Sequence, residues 1–459
     1  MSFEEDIGSR IDKLSWPGYM TVAQLTDVAT RAPAAFLPID PPQTIFKRAV
    51  LAPYGVYIGK TKHEKVQVYW NFDDLMNGHV AILGMSGSGK SFLQKQFLIR
   101  LWKSTAGEMN ILVIDPENEY ESWIRELGGR YFRIGENSAS RLNILEPPTE
   151  KTNPYEWALS IRDIFTAVLN LQKAPLQAGL LKSALEDALR NAGITHNPNT
   201  WRRDRWPTLR HVYTFLEKRE QEIRRSGKTG ESQLLQSLLT LKEKLHHLVI
   251  PPTDYFSEQG DINLRGFLAS KGNVLGLSTN KLPKYGRDLV NWVIVNYIRQ
   301  YMEHHGIEPG RISLLIMLDE AHILFKREDS PLEEIVRQAR KYGFAIMAAT
   351  QMVSDVKPAI LSNMGTVVLF RITEAKDASR ILQGLGVDNE HYRKLLASLP
   401  RGECLIRFNF RKGVWKSLIH TRVEAERKER WLEVVIPRRP RIEEIVVASE
   451  REVARAGRT

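Results

Sequence analysis

The chain is almost without cysteine. Cys404 is the only one in 459 residues, which excludes an intramolecular disulfide and any cysteine-based metal site and fits a reducing compartment. Long apolar runs are missing too, and none approaches the ~18 residues of a membrane span. The N-terminus, MSFEEDIGSR, carries acids where a secretory signal needs a basic start and an apolar core. A cytoplasmic protein without a transmembrane segment is expected, peripheral at a membrane only through partner proteins. Internal repeats and low-complexity tracts are absent. Acidic charge is in deficit: 65 Lys and Arg face 54 Asp and Glu, a net charge of +11. That balance favours a polyanionic partner, nucleic acid or an anionic membrane surface. A hydrophobic share of 42% excludes a mainly disordered chain.

Prolines at 17, 33, 38, 41 and 42 punctuate residues 1–50, which read as a short N-terminal region with a short helix at Leu25–Arg31. Alternation over Val50–Phe72 predicts a hairpin that turns near Lys60–Glu64. Val80–Leu83 is an apolar strand, followed by a glycine-rich loop, a helix over Ser91–Trp102 and a second buried strand at Ile111–Asp115. Strand, helix, strand at this spacing is a βαβ unit and predicts a parallel sheet. Residues 151–254 carry almost no strand signal. Leu180, Leu181, Ala184, Leu185, Ala188 and Leu189 recur at helical spacing, as do Leu234, Leu238, Leu241 and Leu245, so a helical insertion is predicted here. The α/β pattern resumes in 255–424, with strands at Val274–Leu277, Ser313–Leu318, Phe344–Ala348, Thr366–Arg371 and Cys404–Phe408. Helices are expected at Arg287–His304, Leu332–Tyr342 and Asp377–Leu385. The first part of the α/β core is thus 51–150 and the second 255–424. Residues 425–459 form a charge-dense tail.

Gly84-Met85-Ser86-Gly87-Ser88-Gly89-Lys90-Ser91 fills the pattern G-x-x-x-x-G-K-[ST], with a strand before it and a helix after. The glycines let the backbone wrap phosphates, so that successive N–H groups and the helix N-terminus point at them. All eight residues are candidates for holding ATP. Lys90 is suited to neutralise the β- and γ-phosphates, and the Ser91 hydroxyl to ligate Mg²⁺. The apolar strand Leu314–Leu318 ends in Asp319 and Glu320. Asp319 is the candidate metal carboxylate, and Glu320 the candidate base that polarises the attacking water.

The strand from Phe344 runs into a polar pair, Thr350-Gln351. The Gln351 amide can touch both the γ-phosphate and the lytic water, or it simply caps the strand. Arg337, Arg340 and Lys341 share a helix face. That face either lies in solvent or points into a neighbouring subunit's ATP, where an arginine stabilises transition-state charge. Asp115-Pro116-Glu117-Asn118-Glu119-Tyr120 either approaches the nucleotide or makes a structural Asp-Pro turn. His322 is read as a structural or coupling residue. Trp201-Arg202-Arg203-Asp204-Arg205-Trp206 interleaves aromatics with cations. Arg202, Arg203 and Arg205 are candidate DNA contacts, the alternative being a surface loop with inward-packed tryptophans.

GMSGSGKS, VIDPENEY, LLIMLDEAH and ARKYGFAIMAATQ, followed by SDVKP, resemble in kind and order the HerA/FtsK superfamily of ring ATPases. The helical insertion, and Ser140–Leu145 before it, are similar to the motor ATPases of type IV secretion and conjugation and to archaeal DNA-import ATPases of the CedB kind. The resemblance spans residues 55–425. It implies a RecA-like P-loop NTPase core with a mainly parallel sheet and an inserted all-α subdomain. It also implies a homohexamer that uses ATP and Mg²⁺ to translocate DNA or to power a conjugation or import machine in the membrane. Lys90, Ser91, Asp319, Glu320 and Gln351 take the roles above, and Arg340 becomes the favoured finger acting in trans. In such rings the loop after the sensor strand faces the pore, and Lys357 is the only cation of 352–358 here. Two other roles stay open: a DNA-end-resection helicase working with a nuclease, and an ATPase scaffold of a secretion or pilus system that threads no DNA. Residues 1–50 are too short and proline-rich for the N-terminal β-barrel of HerA helicases.

Overall fold

The computed structural model describes residues 55–62, 67–70, 75–105, 107–134, 140–201, 206–226, 231–250, 255–256, 262–305, 312–321, 343–409 and 419–424. The elements in chain order begin with β1 (Val56–Thr61), β2 (Gln67–Trp70), β3 (Val80–Leu83), α1 (Lys90–Ser104), β4 (Asn110–Asp115), α2 (Glu121–Glu126) and β5 (Arg130–Arg133). Four long helices follow: α3 (Pro154–Val168), α4 (Pro175–Asn191), α5 (Leu209–Ser226) and α6 (Ser232–Val249). Then come α7 (Leu264–Ala269), β6 (Val274–Ser278), α8 (Lys284–His305), β7 (Leu314–Leu318), β8 (Phe344–Thr350) and α9 (Pro358–Asn363). The last are β9 (Thr366–Leu369), α10 (Ala375–Gly384), α11 (Glu390–Ser398), β10 (Glu403–Phe408) and β11 (Ile419–Val423).

The eleven strands of the described residues join one sheet in the order β2-β1-β11-β10-β9-β3-β8-β7-β4-β6-β5. From β9 to β5 every neighbour is parallel, whereas β10, β11, β1 and β2 add antiparallel pairs on one side. Every residue of β3, β4, β6, β7, β8 and β9 is buried. A parallel sheet covered on both faces has this pattern, and it is why these strands read as uninterrupted apolar runs. β1 and β2 alternate, as half-buried antiparallel strands do. Cys404 is buried within β10.

The helices over 154–249 pack on one another and, through α3, against α8. Trp157, Phe165, Leu181, Leu185, Leu216, Leu241 and Leu245 belong to the same apolar cluster as Leu112 and Ile114 of β4 and Val293 of α8. Asn153 caps α3 by accepting the Tyr155 N–H, with Pro154 in the first turn. Trp157 stands edge-on to Tyr297 of α8, with centroids 5.8 Å apart, and its indole N–H donates to the Ile144 carbonyl. Each fully buried leucine here contributes about 1.5–3 kcal/mol over exposure.

The structure adds β5, β11, α2, α7, α9 and α11 to the expected elements, starts α10 at Ala375 and ends β9 at Leu369. The expected helices at Leu25–Arg31 and Leu332–Tyr342, and the tail from 425, lie outside the described residues. Among the described residues no helix is long and apolar enough to cross a membrane.

Candidate active site

Three backbone positions make the loop after β3 possible. Gly84, Gly87 and Gly89 have φ of 153°, 71° and 122°, a half of φ/ψ space that side chains strongly disfavour. Gly84 has a second requirement, since a Cβ there would lie 2.6 Å from the Phe370 Cβ. The loop is braced from outside by the neighbouring strand ends. The Met85 N–H donates to the Arg371 carbonyl at 3.0 Å, and the Gly402 N–H to the Ser88 carbonyl at 2.9 Å. These contacts help to hold the curve.

Lys90 opens α1 and is only 7% exposed. Its ammonium donates to the Gly84 and Met85 carbonyls, at 2.9 and 3.0 Å. Burial draws its pKa below the ordinary lysine value, opposed by the charges of Glu320 and Asp319. A buried cation bonded to neutral carbonyls is a standing invitation to an anion.

The next residue, Ser91, donates its hydroxyl to Asp319 Oδ2 at 3.3 Å. Asp319 leaves the end of β7 at 8% exposure. Burial, and then the neighbouring Glu320 charge, push its carboxyl up to about 6. A carboxylate so placed gains from a nearby cation. A hydroxyl and a carboxylate are the hard oxygen donors that Mg²⁺ takes beside nucleotide phosphates. The residues present therefore fit both ATP phosphates and Mg²⁺.

Glu320 sits in the left-handed region at φ 53°, which costs a residue with a side chain roughly 1–2 kcal/mol. Three bonds fix the turn. The Asp319 N–H donates to Ile114 O, the Ala321 N–H to Ala349 O, and the Glu320 N–H to Asp319 Oδ1 at 3.0 Å. The kink separates the two carboxyl groups: Asp319 turns inward against α1, and Glu320 stays half-exposed. The surrounding sheet holds this strained turn in place.

Gln351 follows β8 and is exposed. Because β8 lies between β3 and β7, with Thr350 level with Leu83 and Ala348 level with Leu318, Gln351 emerges on the same sheet edge as Lys90 and Asp319. Lys357 is half-buried and precedes α9. The turn before it is gripped by Arg380 of α10, whose Nη2 donates to the Val353 and Val356 carbonyls, each at 3.0 Å, and to that of Ser354. Arg337, Arg340, Lys341 and His322 lie outside the described residues, as do Arg202, Arg203 and Arg205. Trp206 is in the core and Trp201 packs against it, donating its indole N–H to Thr195 O at 2.9 Å. Trp206 thus packs inward, and Trp201 is partly buried against the same cluster.

Asp115 is fully buried and organises its own loop. It accepts the N–H groups of Glu117, Glu119 and Tyr120 and, at 2.6 Å, the Tyr131 hydroxyl. Of the two readings of this segment, the structural turn is the one observed for Asp115. Sequence reasoning overlooked where that loop ends. The Tyr120 hydroxyl reaches Gln94 Oε1 at 3.0 Å and Asp319 Oδ2 at 3.5 Å. No spacing rule links these residues, which only the crossover of β4 past β7 brings together.

Residues 56–298 match the family described as Helicase HerA, central domain, and residues 290–416 match an AAA-like domain. The DNA import protein CedB of Sulfolobus acidocaldarius is 22% identical over 363 residues, which is 77% of this chain and 54% of that protein. The chain thus spans about half of that relative's length. The DNA double-strand break repair helicase HerA of the same organism is 22% identical over 372 residues, 78% of this chain and 67% of that protein. Among solved structures, VirB4 of Thermoanaerobacter pseudethanolicus superposes with a TM-score of 0.64 at 22% identity, covering 82% of this chain and 98% of its own. The plasmid coupling protein TrwB in complex with ADP and Mg²⁺ gives 0.56 at 15% identity, covering 81% and 94%. The mixed α/β core with its mainly parallel sheet is the fold of these P-loop ATPases.

Proposed function

The chain belongs to the HerA helicase central-domain family, and from that premise we propose that it is an ATP-hydrolysing hexameric motor that translocates DNA or powers a DNA-transfer machine. The observation that carries the reading is the meeting of Ser91 with Asp319 beside the strained Glu320. Lys90 turns from the loop carbonyls to the β- and γ-phosphate oxygens. Ser91 and Asp319 would hold Mg²⁺, which neutralises phosphate charge when bound. The Glu320 carboxylate accepts the proton of the water whose oxygen attacks the γ-phosphorus, and the P–O bond to the ADP leaving group breaks. The half-exposure of Glu320 lets a water reach it. Gln351, on the same edge, orients that water and registers the γ-phosphate.

The second catalytic charge comes from a neighbouring subunit, with Arg340 as the residue proposed to supply it. Arg340→Ala subunits are expected to bind ATP, to assemble and to be inactive alone. Mixed with Lys90→Ala subunits they regain activity, because one kind of interface then joins an intact loop to an intact arginine. Arginines acting this way are worth ~10³–10⁵ in rate, so the recovery is measurable. No recovery at any ratio, in rings shown by mass to be mixed, would exclude a trans role.

DNA contact is proposed for Lys357, a cation next to a turn that Arg380 holds rigid. In a ring it forms a positive collar that takes phosphates without regard to sequence. Stimulation of ATP turnover by DNA in the purified protein tests the motor reading. An ATPase scaffold that threads no DNA shows none. Lys357→Ala is expected to keep basal turnover, to lose the stimulation and to flatten the salt dependence of DNA binding, since each neutralised duplex phosphate contributes a slope of about 0.9 in log affinity against log salt. Stimulation equal to wild type would move the contact elsewhere, first to Arg202, Arg203 and Arg205. The match to a repair helicase over 67% of its length supports a second reading, end resection with a nuclease partner.

A further inference from the structure

Among the described residues, Tyr120 reaches both the α1 side and the Asp319 side of the nucleotide site from a loop outside it. Its ring is 1% exposed. Its N–H is fixed on Asp115 Oδ2 at 2.9 Å. The Lys95 ammonium stands 5.2 Å from the ring centroid and is itself held by Glu119 at 2.6 Å. The aromatic ring is therefore clamped at both ends of its loop before its hydroxyl meets anything.

That hydroxyl lies between α1 and the end of β7. It is 3.0 Å from Gln94 Oε1, whose amide N–H in turn donates to Leu318 O at 3.4 Å, and 3.5 Å from Asp319 Oδ2. Asp319 is thus approached by three donors from three segments. Oδ1 takes the Glu320 N–H, while Oδ2 faces the hydroxyls of Ser91 and Tyr120. The Glu320 N–H and the Ser91 hydroxyl donate to Asp319, the Tyr120 oxygen stands at the edge of bonding reach of Oδ2, and Asp319 has little solvent to replace any of them.

We propose that Tyr120 is a positioning residue for the Mg²⁺ and phosphate site, acting through Asp319 and Ser91. The proposal rests on the ATPase reading above. The Tyr120 hydroxyl has one hydrogen and two acceptors. It bonds to Gln94 in the present geometry and lies 3.5 Å from Asp319 Oδ2, where it would orient that carboxylate if Asp319 held Mg²⁺. Loss of such an outer partner typically weakens metal affinity 10–100-fold. A tyrosine that only filled the core would leave metal affinity alone.

The test is Tyr120→Phe, which keeps the ring and removes one oxygen. Affinity for a fluorescent ATP analogue is measured in excess EDTA and then as Mg²⁺ is added. The EDTA affinity is expected within about twofold of wild type, with the Mg²⁺ midpoint raised ~10–100-fold. A midpoint within about twofold of wild type overturns the proposal. Absence of nucleotide binding by the wild-type protein is a different result and overturns the ATPase reading instead. If the phenylalanine variant does not fold, 3-fluorotyrosine placed at position 120 keeps the hydroxyl. Its ¹⁹F resonance is expected to move when Mg²⁺ is added to the ADP-bound protein and to stay in place for ADP with EDTA. A resonance that ignores Mg²⁺ overturns the proposal as well.

Discussion

Glu320→Gln is expected to leave ATP bound as tightly as in wild type, or more tightly, and to slow hydrolysis by ~10²–10⁴. The glutamine keeps the length and shape of the side chain but accepts no proton. By the usual conversion this is about 3–5 kcal/mol of barrier. The strained turn adds a discriminating detail. Its bonds are made by backbone groups and Asp319, so the turn survives the substitution. Binding and chemistry therefore separate cleanly, by equilibrium binding of a nucleotide analogue on one side and single-turnover hydrolysis on the other. Loss of both together would give Glu320 a role in folding and remove it from the chemistry.

Lys90→Ala is expected to cut both turnover and nucleotide affinity, with turnover down at least ~10²-fold. The ammonium is the loop's only point charge, and the carbonyls of Gly84 and Met85 lose their donor with it. Hydrogen bonds to a charged group are worth about 1.5–3 kcal/mol each, so some cost to the stability of the loop accompanies the loss of function. The bracing of the loop by Phe370, Arg371 and Gly402 confines that cost, and the global melting temperature changes little. Turnover within about threefold of wild type would be too small a loss for a phosphate-neutralising lysine. It would remove the assignment of this loop to ATP.

What the sequence disclosed and what it hid follow one physical division. The strands around the site are buried on both faces, so β3, β4, β6, β7 and β8 stand out as short unbroken apolar runs. The phosphate loop was legible because its glycine requirement is local. β5 was not, because it is an edge strand whose sequence, RYFR, carries charges, one of them paired to Glu121 at 2.6 Å. β11 reads IHTRV, and nothing local tells that His420 meets Glu403 across the ladder at 2.9 Å. Asp319 and Glu320 were legible as a pair but not as a divided one, since the left-handed kink depends on bonds to Ile114 and Ala349 in other strands. Tyr120 meets Asp319 across 199 residues of chain, and Arg380 meets its turn only through tertiary packing. Local patterns named the groups proposed to touch a phosphate. They were silent on the groups that hold those in place.

The burial of Cys404 in β10 has a chemical consequence. Burial, with Glu403 adjacent, pushes its thiol well above the usual range, and the thiolate is the form that oxidants and alkylating reagents attack. Buried in this way, Cys404 is expected to react slowly with thiol reagents in the folded chain. A cysteine introduced on the chain's surface would be the faster sulfhydryl to take a maleimide dye or a bifunctional crosslinker. Distances between labelled copies in the proposed ring, and their changes on adding nucleotide, would become readable on an otherwise wild-type background.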